Sequence, residues 1–196
     1  GLVGSEMCIR DSIMAWFNLS WIDPHWRVYP KINELSEKTE GNFTLQDRID
    51  LIEQQRRILR RIIPTYKKYQ DEGKIEISTS PYYHPILPLL ADMEDAQRSN
   101  ANITPPKIES DLYEDAVFQV KSALDMFERT FGKRPAGIWP SEHCVSEKTM
   151  GILQDLGVKW TISDEGVLEQ SLKREFSRDF RGYLAVSYTH LRAHET

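Results

Sequence analysis

Cysteine is scarce in this chain, glycine never clusters, and no hydrophobic run is long. Two cysteines occur in 196 residues, Cys8 and Cys144, which argues against a disulfide framework and a thiolate metal site. No apolar run approaches the ~20 residues of a membrane helix, and no secretory pattern opens the sequence, so no membrane partner is expected. Charge of one sign is not in excess: 25 Lys and Arg stand against 30 Asp and Glu, a net charge of −5. That balance gives no reason to expect nucleic acid or another polyanion as partner. No glycine-rich turn follows any strand-like run, so a nucleotide would find no phosphate cradle. Internal repeats and low-complexity segments are absent too.

What is present is an ordinary globular composition, 40% hydrophobic and 28% charged, in a chain long enough for one domain-sized core. Residues 1–12 and 186–196 resemble translated sequencing-adapter read-through and are set aside. Residues 13–185 are then expected to form part of one domain, with Cys144 its single cysteine.

Along that segment four strand-like runs alternate with helical stretches. The first, Met14 to Leu19, is apolar and aromatic and ends at Ser20-Trp21-Ile22-Asp23-Pro24, where proline opposes continuation. Thr44 with Asp47 has the spacing of a capping box and opens a long helix. Ile49, Ile52, Leu59, Ile62, Tyr66 and Tyr69 keep one face of that helix apolar, and Pro64 is expected to kink or divide it. Lys74 to Thr79, Ala136 to Trp139 and Lys159 to Ser163 read as further strands. Between the last three lie a helix of about 111–131, with Val117, Val120, Leu124, Phe127 and Phe131 on its buried face, and a short helix from Ser146 ended by Gly157. Alternation of this kind implies parallel pairing with right-handed crossovers. The expected fold class is α/β, a partial parallel β/α barrel.

In such a barrel the chemistry gathers at the carboxyl ends of the strands. Tyr82, Tyr83 and His84 follow the second run, Trp139, Ser141 and Glu142 the third, and Asp164 and Glu165 the fourth.

These blocks carry a resemblance. Glu76 to Leu90 (EISTSPYYHPILPLL), Gly137 to Glu142 (GIWPSE) followed by Val145-Ser146, and Lys159 to Leu168 (KWTISDEGVL) resemble, in order and spacing, stretches of bacterial glycoside hydrolase family 57 proteins. The resemblance implies an incomplete seven-stranded, TIM-like barrel and a retaining enzyme acting on α-linked glucans, of the amylase, 4-α-glucanotransferase or branching type. It makes Glu142 the catalytic nucleophile, and Trp139, His84, Tyr83, Tyr82, Trp21, Asp164 and Glu165 the candidates for substrate contact. It implies no cofactor and no metal, an α-glucan or maltooligosaccharide partner, and by default a cytoplasmic location. The family's His-Gln-Pro block does not occur here. Its acid/base aspartate falls beyond the equivalent of Leu168, so the segment is expected to be a fragment lacking that carboxylate and, alone, poorly soluble and inactive.

Plainer readings stand beside these. Glu142 sits just before a helix, where acids are favoured anyway. His84 and Trp139 suit packing roles as well, and Asp164 with Glu165 suits a turn cap. Arg56, Arg57, Arg60 and Arg61 alternate with Ile58, Leu59, Ile62 and Ile63 and read as a solvated helix face. Two other functions compete. A metal-dependent polysaccharide deacetylase would draw on His25, His84, His143 and Asp164, although these histidines form no His-x-x-x-His pair. A non-catalytic carbohydrate-binding relative would keep the barrel and lose the chemistry.

Overall fold

The run expected as the first strand is helical. In the computed structural model, which describes residues 2–38, 42–107, 111–164, 166, 167 and 169, helix α1 (Leu2–Ser20) carries Met14 to Leu19 through its last turns. Six apolar residues in a row suit either element, and burial decides between them. Ala15 and Leu19, four apart, are buried, while Ile13, Met14 and Phe17 are exposed, which is helical spacing and not the alternation of a strand. Asp23 then caps the 3₁₀ turn Pro24–Val28 by accepting the His25 N–H at 2.8 Å.

The chain divides into two compact units, 1–72 and 73–196. The first holds α1, α2 (Pro30–Ser36) and α3 (Leu45–Asp71). The capping box at the start of α3 is present in both directions. Thr44 Oγ1 accepts the Asp47 N–H at 3.1 Å, and Asp47 Oδ2 accepts the Thr44 N–H at 2.8 Å. Lys38 adds an ion pair to the same carboxylate at 2.6 Å. Ala15, Leu19, Leu35, Phe43 and Leu51 form the core of this unit, with Trp16 edge-on to Phe43.

Of the two outcomes expected at Pro64, a kink or a division, the structure removes the second: α3 passes through it undivided. Its periodic apolar face is also not buried: Ile49, Ile52, Leu59, Ile62, Tyr66 and Tyr69 are all exposed, Leu59 at 61%. Of the four arginines, Arg57 lies 4.2 Å from the ring centre of Tyr29 and Arg61 5.3 Å from that of Trp26. These two guanidinium groups pack on aromatic faces, beyond a merely solvated role.

In the second unit the short helices α4 (Leu87–Ala91) and α5 (Asp95–Ser99) precede α6 (Tyr113–Phe131), strand β1 (Gly137–Ile138), α7 (Glu147–Asp155) and strand β2 (Trp160–Thr161). Helix α6 buries Val120, Leu124, Phe127 and Phe131 as its period requires, and left-handed Gly132 ends it. Ser146 caps α7, and Gly157 at φ 78° follows its end. The strands pair in parallel, Gly137 with Trp160 and Ile138 with Thr161. Thr79 bridges Ile138, also in parallel.

Parallel β/α order is therefore observed for three of the four expected runs, but in shortened form. From Lys74 to Thr79 only Thr79 forms a β-bridge, and the sheet of the described residues has two strands. The described structure is mostly helical, and the expected partial barrel reduces in it to this parallel pair and bridge. Ile138 is fully buried, with Leu87, Val120, Leu124, Ile152 and Val158 in the same core cluster. Burying such a side chain contributes about 1.5–3 kcal/mol, so the core sits directly beneath the strand that leads to Glu142. Among the described residues no helix is long and apolar enough to cross a membrane.

Candidate active site

Gly137 sets the geometry of β1. A Cβ at this position would lie 2.1 Å from the Trp160 ring, so only glycine lets the neighbouring indole lie across the strand. The indole N–H of Trp160 donates to Glu76 Oε1 at 2.8 Å, which ties the segment before Thr79 to β2. The Trp139 N–H donates to the Thr79 carbonyl at 2.8 Å. Because Thr79 and β1 run in parallel, the loops that follow them leave from the same end.

At that end two side chains meet. His84 Nε2 lies 3.3 Å from Glu142 Oε1, with 56% and 70% of the respective side chains exposed. Glu142 belongs to the 3₁₀ turn Ser141–His143, where its backbone adopts φ 54° and ψ 25°. His143 (φ 57°) and His84 (φ 57°) are left-handed as well. Among the described residues three of the four non-glycine positions of this kind therefore lie at one spot. For residues with a Cβ this conformation costs about 1–3 kcal/mol and persists where surrounding contacts impose it. The turn is held by His143 N–H to the Pro140 carbonyl at 3.1 Å and Cys144 N–H to the Ser141 carbonyl at 3.0 Å. Ser163 Oγ, from the segment after β2, donates to the His143 carbonyl at 3.0 Å.

Aromatic surface lines the same end. The Trp139 ring is half-exposed and meets His143 edge-on, 4.9 Å between ring centres. Tyr82 and Tyr83 stand edge to face at 4.7 Å on the turn that carries His84, both exposed. Glu142 can thus accept a hydrogen bond on Oε1 while most of its side chain is exposed, and an indole packs on the next residue, His143. That arrangement suits a carboxylate that must reach a sugar held against a flat apolar face.

Among the described residues, the other expected ones make no hydrogen bond or ring contact with His84 or Glu142. Asp164 Oδ1 accepts the Gly166 N–H at 2.8 Å and so caps its own turn. Trp21 lies in the first unit, exposed at the end of α1, edge-on to Phe17. Glu165 is outside the described residues. Sequence reasoning missed Gln119, whose side chain receives the Tyr83 N–H at 2.8 Å. It also missed Ser163, which lies within the Lys159 to Leu168 block without being singled out there, whereas Gln119 carries no motif signal. No group of three or more His, Cys, Asp or Glu side chains suited to a metal ion gathers among the described residues.

Comparison with known proteins places this geometry in context. The model of glycosyl hydrolase family 57 matches residues 8–192. The chain belongs to glycosyl hydrolase family 57. The match includes His84, Trp139 and Glu142, so the site just described is part of the family 57 region. A solved structure of a branching enzyme of the family 57 type, from the hyperthermophilic archaeon Pyrococcus horikoshii, is similar to this chain at 18% identity and a TM-score of 0.46. The similarity covers 87% of this family 57 chain and 29% of that enzyme, so the chain spans under a third of its length. Among curated proteins, none matches.

Proposed function

We propose that this chain supplies the nucleophile-bearing part of a retaining glycoside hydrolase or transglycosylase acting on α-linked glucans, with Glu142 as the nucleophile. The observation that carries the reading is the 3.3 Å approach of His84 to Glu142 at the end where Thr79 and β1 release their loops. Membership of family 57 supports the reaction class. On this reading residues 13–185 are part of one catalytic domain, and the segment at Thr79, β1 and β2 are three strands of an incomplete seven-stranded β/α barrel.

Glu142 attacks the anomeric carbon, the glycosidic C–O bond breaks, and a covalent glycosyl-enzyme forms. A second carboxyl group about 5–5.5 Å away protonates the leaving oxygen and later activates the acceptor. In this proposal that group is the aspartate that the family resemblance assigns to a later block, well past the equivalent of Leu168 and not among residues 13–185. His84, with its Nε2–H donated to Glu142 Oε1, holds the carboxylate so that the other oxygen faces the sugar. Trp139 offers a face to the ring, and Tyr82 and Tyr83 extend that apolar surface. Hydrolysis and transfer share the intermediate and diverge according to whether water or a sugar hydroxyl reaches it first.

The test is Glu142→Gln in the full-length protein, assayed on maltooligosaccharides. The expected result is a loss of kcat on the order of 10³-fold or more with oligosaccharide binding retained. Turnover that survives the substitution removes the nucleophile assignment, and acetate release from an acetylated polysaccharide that is abolished by chelation would point to a metal-dependent deacetylase instead.

A further inference from the structure

The turn that carries His84 is held by one residue of helix α6. His84 N–H donates to the Pro81 carbonyl at 3.0 Å and closes a β-turn whose central residues are Tyr82 and Tyr83. Both central amides point away from the turn, and Gln119 receives both. Its backbone carbonyl accepts the Tyr82 N–H at 3.1 Å, and its side-chain Oε1 accepts the Tyr83 N–H at 2.8 Å. Because a backbone N–H can only donate, the amide oxygen of Gln119 must face Tyr83, which fixes the orientation of the side chain. All three amides from Tyr82 to His84 are thereby committed, two of them to a single helical residue.

This grip bears directly on the imidazole. His84 is left-handed at φ 57°, a conformation its own Cβ disfavours. A residue so placed keeps its geometry when the preceding peptide is fixed from outside the loop. Gln119 does this 36 residues from Tyr83 in sequence, from a helix anchored in the core by Val120 and Leu124. A chain of contacts then runs from α6 through the turn to the imidazole and on to Glu142 Oε1.

We propose that Gln119 is a positioning residue: by holding the Pro81–His84 turn it sets the place of the His84 ring and, through it, the orientation of the Glu142 carboxylate. The inference rests on the reading of Glu142 as nucleophile. It extends that reading to a side chain outside the loops of the site.

The experiment compares Gln119→Leu with Gln119→Glu in the full-length protein, each in the presence of His84 and in a His84→Ala background. Leucine keeps the size and the helix but has no acceptor. Glutamate keeps an oxygen for the Tyr83 N–H. Loss of one such hydrogen bond predicts that Gln119→Leu lowers kcat about 5- to 10-fold with KM little changed, whereas Gln119→Glu stays within about 2-fold. With His84 replaced, Gln119→Leu should have no further effect on kcat, because residues that act through one another are non-additive.

The proposal is overturned if Gln119→Leu costs the same factor in both backgrounds, if Gln119→Glu is as damaging as Gln119→Leu, or if neither changes kcat. The Glu142→Gln control separates the two levels. If that variant is dead while Gln119→Leu behaves as wild type, positioning by Gln119 falls alone. If that variant turns over normally, the reading of the site falls and this inference with it.

Discussion

Helices α3 and α6 have equally clear apolar periods and opposite fates. In α6 the predicted face is inside, with Val120 at 0%, Leu124 at 1% and Phe127 at 5% exposure, whereas in α3 Ile49, Leu59 and Tyr66 stand at 44%, 61% and 51%. Period identifies the residues that can go inside together. Burial also needs a surface to receive them. The second unit provides one in Leu87, Ile138, Ile152, Leu153 and Val158, while in the first unit α3 contributes only Leu51 to the apolar core cluster.

This contrast is open to direct attack. The largest effect is expected where β1 meets Trp160. Gly137→Ala would drive a methyl group into the indole ring and should destabilise the second unit by about 3 kcal/mol or more. Denaturant unfolding followed by tryptophan fluorescence would read it, and an unchanged midpoint would mean that the strand and the indole are not so closely packed.

Next comes the helix pair itself. Leu124→Ala, at a site 1% exposed, should cost about 2–5 kcal/mol. Leu59→Ala, at 61% exposure, should stay within about 0.5 kcal/mol. Equal costs in urea unfolding would erase the distinction between the two helices.

A finer probe uses pH. The Lys38 ammonium, with the Thr44 N–H and hydroxyl, holds Asp47 down to about 2 from an ordinary 3.8. A carboxyl group depressed in the folded state adds stability that is fully present above pH 3.8 and disappears as pH falls through about 2. Asp47→Asn should flatten the acid limb of the stability curve in that window. An acid limb identical to wild type would show that the capping carboxylate contributes nothing there.

Several elements are legible in the sequence because their causes are local. The Thr44–Asp47 capping box, the Ser146 cap of α7 and the buried stripe of α6 all depend on residues within a turn or two of each other. Met14 to Leu19 is not legible in this way, because a six-residue apolar run carries no period of its own, and the helix emerges only when Ala15 and Leu19 are seen buried together. Of the Lys74–Thr79 run only Thr79 forms a β-bridge among the described residues, since alternation shows which side chains share a face but not how far a strand extends. Glu142 is marked by its own block, and the histidine 58 residues away that touches it is marked by another. Their meeting is not readable from either block.

By itself, then, the sequence determined the caps, the buried stripe of α6 and the blocks that carry family membership, because short-range sterics and spacing are enough to specify them. Tertiary structure alone decided that α3 keeps its apolar face exposed, that Gln119 grips the turn before His84, and that His84, Glu142 and His143 adopt left-handed backbones. The reason is physical: a residue with a Cβ does not choose that conformation from its neighbours in the chain, so only contacts arriving from distant segments hold it there.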